Sequence, residues 1–371
     1  MTKSLAITIE SMGAGGAQLV IIRLIRGLLK KGFHVHLITL KGPETDFFEI
    51  PENVVRHIVG GAHRTSNPLS AIFSNLHRIL NLRRAINNSN PACVISFVST
   101  HNILTLLACK GLNTPVIISE RNDPKRQYIG PVWSFLRRLS YPGASFVTAN
   151  SPLAISFLQG LVPAERLRLI PNPVRTFEPP KKPVMAEPFF LAVGRLHRQK
   201  AFDTLIEAYA IARRESSLPP LLILGTGPEH QALTSKIWHL GIASDVNLAG
   251  EVTNVGDYYY RALALLHPAR FEGMPNAVLE AMGTGTPVVV SSGQGGILDL
   301  VSDGISAMIF DTDDVNQLAN IICQLNDDPA LRKRLSRGAK AAVAERLRDD
   351  GVSAWLDIMA LVPGTDMNGE K

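Results

Sequence analysis

Pro171-Asn172-Pro173-Val174-Arg175-Thr176-Phe177-Glu178-Pro179-Pro180-Lys181-Lys182-Pro183-Val184-Met185-Ala186-Glu187-Pro188 carries six prolines in eighteen residues. Proline fixes φ and has no N–H to donate, so this stretch is neither a helix interior nor an inner strand. It reads as a linker. On both sides of it the sequence alternates strand-like and helix-like segments, the rhythm of a parallel α/β sheet. A chain of 371 residues is too long for one core and comfortable for two. The expected architecture is α/β with two doubly wound domains: residues 1–175, a Pro-rich linker at 176–188, and residues 189–371.

In the first half, strands are expected at 5–9, 35–40, 93–98, 116–119 and 146–149. Between the first two, Ala17, Val20, Ile21, Leu24, Ile25 and Leu28 recur on one helical face. Arg23, Arg26, Lys30 and Lys31 supply its polar side, and Gly32 ends the helix. In the second half, strands are expected at 189–193, 221–224, 246–249, 264–267, 287–291 and 307–310. Helices are expected at 202–214, 229–240, 275–283 and 315–325, and the tail after about 362 reads as frayed. Two such domains place a ligand cleft at the C-terminal ends of their strands, where helix N-termini point outward.

Bulk properties narrow the function. A hydrophobic content of 46% excludes a disordered chain. No apolar run approaches the roughly 18–20 residues that span a bilayer. The first residues read as a strand, not a signal peptide. Cys93, Cys109 and Cys323 show no metal-like spacing and fit a reducing compartment, the cytoplasm. The net charge of +6 is lopsided: residues 1–185 hold 22 Lys and Arg against 9 Asp and Glu, whereas the rest holds 16 against 23. The basic half calls for an anionic partner. Nucleic acid is not expected, because no recognised nucleic-acid-binding motif accompanies the charge.

Three loops carry the chemistry. In Phe271-Glu272-Gly273-Met274-Pro275-Asn276-Ala277-Val278-Leu279-Glu280, Glu272 precedes a turn and Glu280 lies inside the helix that the turn opens. A carboxylate there accepts hydrogen bonds from a sugar diol, and the first-turn amides suit a diphosphate. In Val193-Gly194-Arg195-Leu196-His197-Arg198-Gln199-Lys200, a glycine permits close backbone approach, and Arg195 and Lys200 offer two cations to phosphate oxygens. Met12-Gly13-Ala14-Gly15-Gly16-Ala17-Gln18 joins a strand to a helix N-terminus but lacks the full dinucleotide-binding spacing.

The Glu272-x7-Glu280 spacing, the Arg195…Lys200 loop and Gly15-Gly16 together resemble the family-4 retaining glycosyltransferases of the GT-B fold, in which two Rossmann-like domains face each other across a cleft. The similarity extends to Ile170-Pro171-Asn172-Pro173-Val174 and Leu222-Ile223-Leu224-Gly225-Thr226-Gly227-Pro228-Glu229. Ile95-Ser96-Phe97, Ile117-Ile118-Ser119-Glu120 and the stretch Trp133 to Pro142 are similar to PglH-like bacterial enzymes extending polyprenyl-diphosphate-linked oligosaccharides. The resemblance implies a nucleotide-sugar donor, a UDP-sugar, with no metal and no other cofactor. It implies that Arg195 and Lys200 grip the donor diphosphate and that Glu280 holds the ribose. Glu272, with the Gly273-Met274-Pro275-Asn276-Ala277 turn, would orient the sugar, Val252 would lie at the base, and Gly15 and Gly16 would border phosphate and acceptor. Relatives often place a histidine where this chain has Arg121, so only sugar or phosphate binding is carried to Arg121. His101 is expected near the same edge. Asp311-Thr312-Asp313 reads as a helix cap and not as a metal site.

The segment from Lys125 to Tyr141 interleaves basic and aromatic residues, which suits either a lipid headgroup interface or an amphipathic helix packed inward. With a polyprenyl-diphosphate-linked glycan as acceptor, it implies a peripheral enzyme on the inner face of the cell membrane. Two other readings stand beside this one. A non-catalytic sugar-nucleotide-binding protein would share the fold. An NAD-dependent oxidoreductase rests on the glycine loop alone and lacks an acidic residue at Leu40-Lys41-Gly42.

Overall fold

The computed structural model describes residues 4–60, 68–182, 185, 187–348 and 351–362. The expected fraying beyond 362, and positions 183, 184 and 186 of the linker, lie outside the described residues. The chain divides into two compact units: Met1–Asn172 with Asp350–Lys371, and Pro173–Asp349.

The first unit has strands β1 (Ser4–Ile9), β2 (His34–Thr39), β3 (Val54–Ile58), β4 (Cys93–Phe97), β5 (Val116–Glu120), β6 (Phe146–Ala149) and β7 (Leu167–Leu169). They form one parallel sheet in the order β3-β2-β1-β4-β5-β6-β7. Its inner strands are apolar on both faces, as strands covered by helices on two sides must be. Leu5, Ile7, Cys93, Ile95 and Ile117 face a cluster with helix α1 (Gly16–Lys30). Ala6, Val94, Val116 and Ile118 face the opposite layer of helices α2 (Pro68–Ser89), α3 (Ser99–Cys109), α4 (Pro131–Ser140) and α5 (Pro152–Leu158). The face predicted for α1 is buried through Leu28, and Gly32 adopts the left-handed φ of 79° that closes such a helix.

The second unit has strands β8 (Phe189–Val193), β9 (Leu221–Leu224), β10 (Val246–Gly250), β11 (Ala262–His267), β12 (Val288–Ser291) and β13 (Met308–Phe310). These are also parallel, in the order β10-β9-β8-β11-β12-β13. Helices α6 (Phe202–Glu215), α7 (His230–His239), α8 (Val255–Tyr259), α9 (Asn276–Thr284), α10 (Gly295–Leu298), α11 (Val315–Asp327) and α12 (Pro329–Val343) complete it. The strand order reverses direction between β1 and β4 in one unit and between β8 and β11 in the other. Crevices at such points, beyond the C-terminal strand ends, are where open α/β sheets take ligands. Both reversals carry strained backbone. Val98, just after β4, has φ of 75°, and Ala201, which opens α6, has φ of 53°; non-glycine residues persist there only when their surroundings fix them.

The expected domain of residues 189–371 differs from the observed division in its last segment. Helix α13 (Ser353–Ala360) returns to the first unit. Val352, Trp355, Ile358 and Met359 are buried among the β1, β4 and α1 side chains, with the Trp355 ring 5.5 Å from that of Phe97. Gly27 makes the crossing possible, because a Cβ there would lie 2.0 Å from a Val352 methyl carbon. The start of the expected linker also packs: Val174 and Phe177 lie against the α8–α9 side of the second unit.

Candidate active site

At the reversal in the second unit, β8 runs into Gly194 and the turn that ends at Lys200, and β11 runs into the loop that carries Glu272. The two loops are tied together. Lys200 Nζ lies 2.6 Å from Glu272 Oε1, with both side chains largely buried. Gln199 Nε2 donates to the Phe271 carbonyl at 2.9 Å and to Glu272 Oε1 at 3.3 Å, and the Arg270 N–H donates to the Gln199 carbonyl at 2.8 Å. Gly194 is required for this approach. Its φ is 158°, and a Cβ would press on the Lys200 side chain at 3.2 Å. Gly225 is required too, since its Cβ would fall 2.0 Å from the Gly194 carbonyl oxygen. Arg195 is exposed in the same loop and, among the described residues, has no ion-pair partner.

Glu272 is followed by the Gly273–Pro275 turn and then by α9, whose N-cap Pro275 supplies no side-chain hydrogen bond to the first-turn amides. The turn is anchored from below: Met274 and Val278 enter the core, and the Gly296 N–H donates to the Gly273 carbonyl at 2.7 Å. Glu280 lies further along, inside α9. It is buried in the second turn of α9, where Oε2 accepts a 3.1 Å hydrogen bond from the Tyr259 hydroxyl. Burial, and after it the Glu280 carboxylate, holds the Tyr259 phenol well above its ordinary pKa. Val252 follows the left-handed Gly250 at the end of β10 and is partly buried against the same core as α9.

Two residues missed by sequence reasoning support this loop. Arg270 is a hub. It donates to the Arg198 carbonyl (2.6 Å), pairs with Asp203 at the start of α6 (2.9 Å) and with Asp313 (2.9 Å), and reaches Thr204 (3.3 Å). His267 ends β11 fully buried, and burial together with the nearby Lys200 charge lowers its pKa far below the ordinary range, leaving the ring neutral. Nothing local in sequence marks either residue, since Arg270 acts through partners more than forty positions away. The Asp311-Thr312-Asp313 expectation is corrected in one respect: Asp314 caps α11 by accepting from the Gln317 N–H, while Asp313, at φ 65°, pairs with Arg270. Among the described residues no group of three or more His, Cys, Asp or Glu side chains is arranged to hold a metal ion.

In the first unit, Gly15 and Gly16 are exposed where β1 leads into α1, and no side chain caps that helix. Arg121, to which only sugar or phosphate binding was carried, is partly buried at the end of β5. Its guanidinium is engaged within the protein, donating to Ser119 Oγ (2.8 Å), the Ile170 carbonyl (3.2 Å) and Asn172 Oδ1 (3.0 Å), between the Phe97 and Trp355 rings. Burial without a carboxylate lowers its pKa to about 9. Arg121 braces the end of β5 against the β7 exit and the returning tail. His101 does lie at the reversal, in the first turn of α3, but it is buried, and desolvation lowers its pKa to about 3. Beside it Glu120 accepts from the Tyr141 hydroxyl and from Ser99 Oγ at 2.7 Å, and burial raises its pKa. The basic and aromatic segment has a packed side and an exposed side. Trp133, Leu136 and Tyr141 pack inward, whereas Tyr128, Val132, Phe135 and Leu139 are exposed.

Comparison with known proteins agrees with this geometry. Residues 174–342 match the family described as Glycosyl transferases group 1, and residues 14–177 match Glycosyltransferase Family 4. A Campylobacter jejuni protein named GalNAc-alpha-(1->4)-GalNAc-alpha-(1->3)-diNAcBac-PP-undecaprenol alpha-1,4-N-acetyl-D-galactosaminyltransferase is 30% identical over 95% of this chain and 97% of its own. A second C. jejuni protein, N-acetylgalactosamine-N,N'-diacetylbacillosaminyl-diphospho-undecaprenol 4-alpha-N-acetylgalactosaminyltransferase, is 26% identical over 91% of this chain and 94% of its own. Among solved structures, Anabaena Alr3699/HepE in complex with UDP-glucose superposes with a TM-score of 0.79 at 17% identity, covering 96% of this chain and 98% of that one.

Proposed function

The chain belongs to the family-4 glycosyltransferases of the GT-B fold, and from that premise we propose that it transfers a hexose or N-acetylhexosamine from a UDP-sugar to a polyprenyl-diphosphate-linked glycan. The product is a precursor of a bacterial surface polysaccharide or glycoprotein. The observation that carries this reading is the Lys200–Glu272 pair, with Arg195 in the same loop as Lys200, at the strand reversal of the second unit. A cation held against a carboxylate next to uncapped helix amides matches both parts of a nucleotide sugar, the diphosphate and the sugar hydroxyls. The acceptor class is supported by the acceptors in the names of the two C. jejuni relatives, and the donor class by the UDP-glucose complex of the fold neighbour.

In this reading Arg195 and Lys200 hold the diphosphate and offset charge on the departing nucleotide. Glu272 and the Gly273–Ala277 turn orient the sugar, Glu280, steered by Tyr259, holds the ribose diol, and Val252 borders the base. Gly15 and Gly16 serve the acceptor. The anomeric configuration is retained: the sugar C1–O bond to phosphate breaks, the acceptor oxygen bonds to C1 on the same face, and the acceptor hydroxyl proton passes to the leaving phosphate. The basic side chains and helix amides replace a metal. The enzyme works at the inner face of the cell membrane as a peripheral protein; no helix among the described residues is long and apolar enough to cross a bilayer.

The test is transfer from a panel of UDP-sugars to a lipid-linked acceptor, with the product anomer read by NMR, in the presence and absence of EDTA. Full activity in chelator and an anomer matching the donor are expected; loss of activity restored by Mg²⁺ or Mn²⁺ would refute the metal-free reading. Binding without transfer would favour the non-catalytic alternative. Arg270→Ala is expected to lower turnover by roughly 10–100-fold, because loops misplaced by about 1 Å lose alignment. Arg270→Lys should recover only part, since lysine lacks the planar fork that bridges Asp203 and Asp313. Unchanged turnover in Arg270→Ala would remove Arg270 from the positioning role.

A further inference from the structure

The Lys200–Glu272 pair is more enclosed than a surface ion pair. Nζ lies 2.6 Å from Oε1, and the two side chains are only 18% and 12% exposed. The lysine has little room to swing aside. A Cβ on Gly194 would lie 3.2 Å from its Cε, 3.3 Å from its Cδ and 3.5 Å from the Phe202 ring, so the stem is packed along its length. The nearby His267 is buried and neutral, and its ring nitrogens have no hydrogen-bond partner among the described residues. It offers the ammonium no second anion. Glu272 is fixed as well, because its backbone bridges that of Gln294. Among the described residues, Lys200 and Gln199 both meet Oε1, which leaves Oε2 to accept from a hydroxyl. Lys200 and Glu272 are thus each other's charged partner inside the loop assigned to the donor.

We propose that Glu272, by sharing the Lys200 ammonium, makes the site discriminate an intact nucleotide sugar from the free nucleoside diphosphate that transfer leaves behind. The proposal rests on the donor reading of this loop and adds what the ion pair does there. Both ligands bring the same diphosphate to Lys200 and Arg195. They differ at the carboxylate. A sugar brings hydroxyls, which donate to Glu272 and compensate it for the share of the ammonium that the phosphate takes. Free UDP ends in phosphate oxygens, which only accept. Glu272 then gives up part of its partner and gains no donor, and a largely enclosed carboxylate left short of partners is costly. A group left unpaired against one ligand is how a site separates two that share most of their contacts. The consequence for turnover is that the spent nucleotide is held less firmly than it would be by Lys200 and Arg195 alone.

Calorimetric titration of the full chain tests this, with UDP and with UDP-glucose, UDP-galactose, UDP-N-acetylglucosamine and UDP-N-acetylgalactosamine as probes. Glu272→Gln should tighten UDP about tenfold, within the usual coupling between groups in contact. The best-bound nucleotide sugar should tighten by less than about threefold, because it loses the Glu272 contact as it gains the freed ammonium. UDP should correspondingly inhibit the residual transfer of this variant at about tenfold lower concentration. Glu272→Ala repeats the titration, with thermal unfolding of each variant measured alongside, so that one misfolded chain does not decide the matter. In a Lys200→Ala chain the Glu272→Gln gain for UDP should shrink to less than about threefold, since the gain passes through the shared ammonium. Unchanged or weaker UDP binding in both Glu272 variants would overturn the proposal. A gain that persists in full in the Lys200→Ala chain would overturn it too, being the mark of plain repulsion between carboxylate and phosphate. Wild type that binds neither UDP nor any of the nucleotide sugars would fail the donor reading itself, and the proposal with it.

Discussion

Removal of residues 350–371 is expected to abolish cooperative folding of the amino-terminal sheet, and Trp355→Ala alone to cost about 3–5 kcal/mol. Val352, Trp355, Ile358, Met359 and Val362 are all buried in the cluster that α1 and the strands β1, β2 and β4 share. Full burial of an apolar side chain contributes roughly 1.5–3 kcal/mol. Five such residues together rival the whole net stability of a domain, about 5–15 kcal/mol. Truncation also uncovers Phe97 and strips one aromatic face from the Arg121 guanidinium, which has no carboxylate to fall back on. Denaturant unfolding followed by near-ultraviolet circular dichroism, together with limited proteolysis of residues 1–172, measures this. A truncated chain whose amino-terminal half resists protease as wild type does would show that α13 is an accessory. Full-length Gly27→Leu should behave as a milder version, because its side chain occupies the space where Val352 crosses α1.

That return of the tail illustrates where the sequence is readable and where it is not. The inner strands announce themselves because burial on both faces demands apolar runs, unbroken in Phe189–Val193 and Leu221–Leu224. Strand β3 does not, since it sits at the sheet edge with Val55 and Ile58 exposed among Arg56 and His57. Strand β7 has only three residues. Nothing in Ser353–Ala360 says which unit it will cover, because an apolar helix face records that it is buried and not against what. The site divides along the same line. The strand–glycine–helix grammar of 193–200 and 271–280 is local and legible. The pairing of Lys200 with Glu272, the Arg270 hub, and the engagement of Arg121 with Asn172 depend on residues brought together by the fold. No short-range signal carries them.

Lys200→Ala and Arg195→Ala are each expected to lower turnover by on the order of 10²–10³, the usual cost of removing one preorganised group that faces developing charge. The folded state should survive both, because each residue lies in a loop at the sheet's end and not in the core. Turnover within about threefold of wild type would sink the diphosphate assignment, being far below what such a group supplies. The two glutamates should separate in a different way. Glu280 is buried inside α9 and hydrogen-bonded by the Tyr259 hydroxyl, and in the proposed reading it meets the ribose and not the bond that breaks. A ribose diol held there is held equally in the ground and transition states, and uniform binding of that kind appears in KM. Glu280→Gln should therefore raise KM for the donor and change kcat little. Glu272 stands at the end of the loop, paired with Lys200 and Gln199 beside the amides that open α9. As the nucleotide departs, the sugar gains positive character and the phosphate gains negative charge, so both members of the Lys200–Glu272 pair face charge that grows along the reaction. An interaction that strengthens in this way appears in kcat. Glu272→Gln keeps the shape and the hydrogen-bonding oxygen but removes the charge, and should lower kcat with KM nearly unchanged. Donor saturation curves at saturating acceptor measure both constants for each variant. If Glu280→Gln lost kcat alone while Glu272→Gln lost only KM, the two carboxylates would have to exchange roles, and the sugar would sit over the buried one.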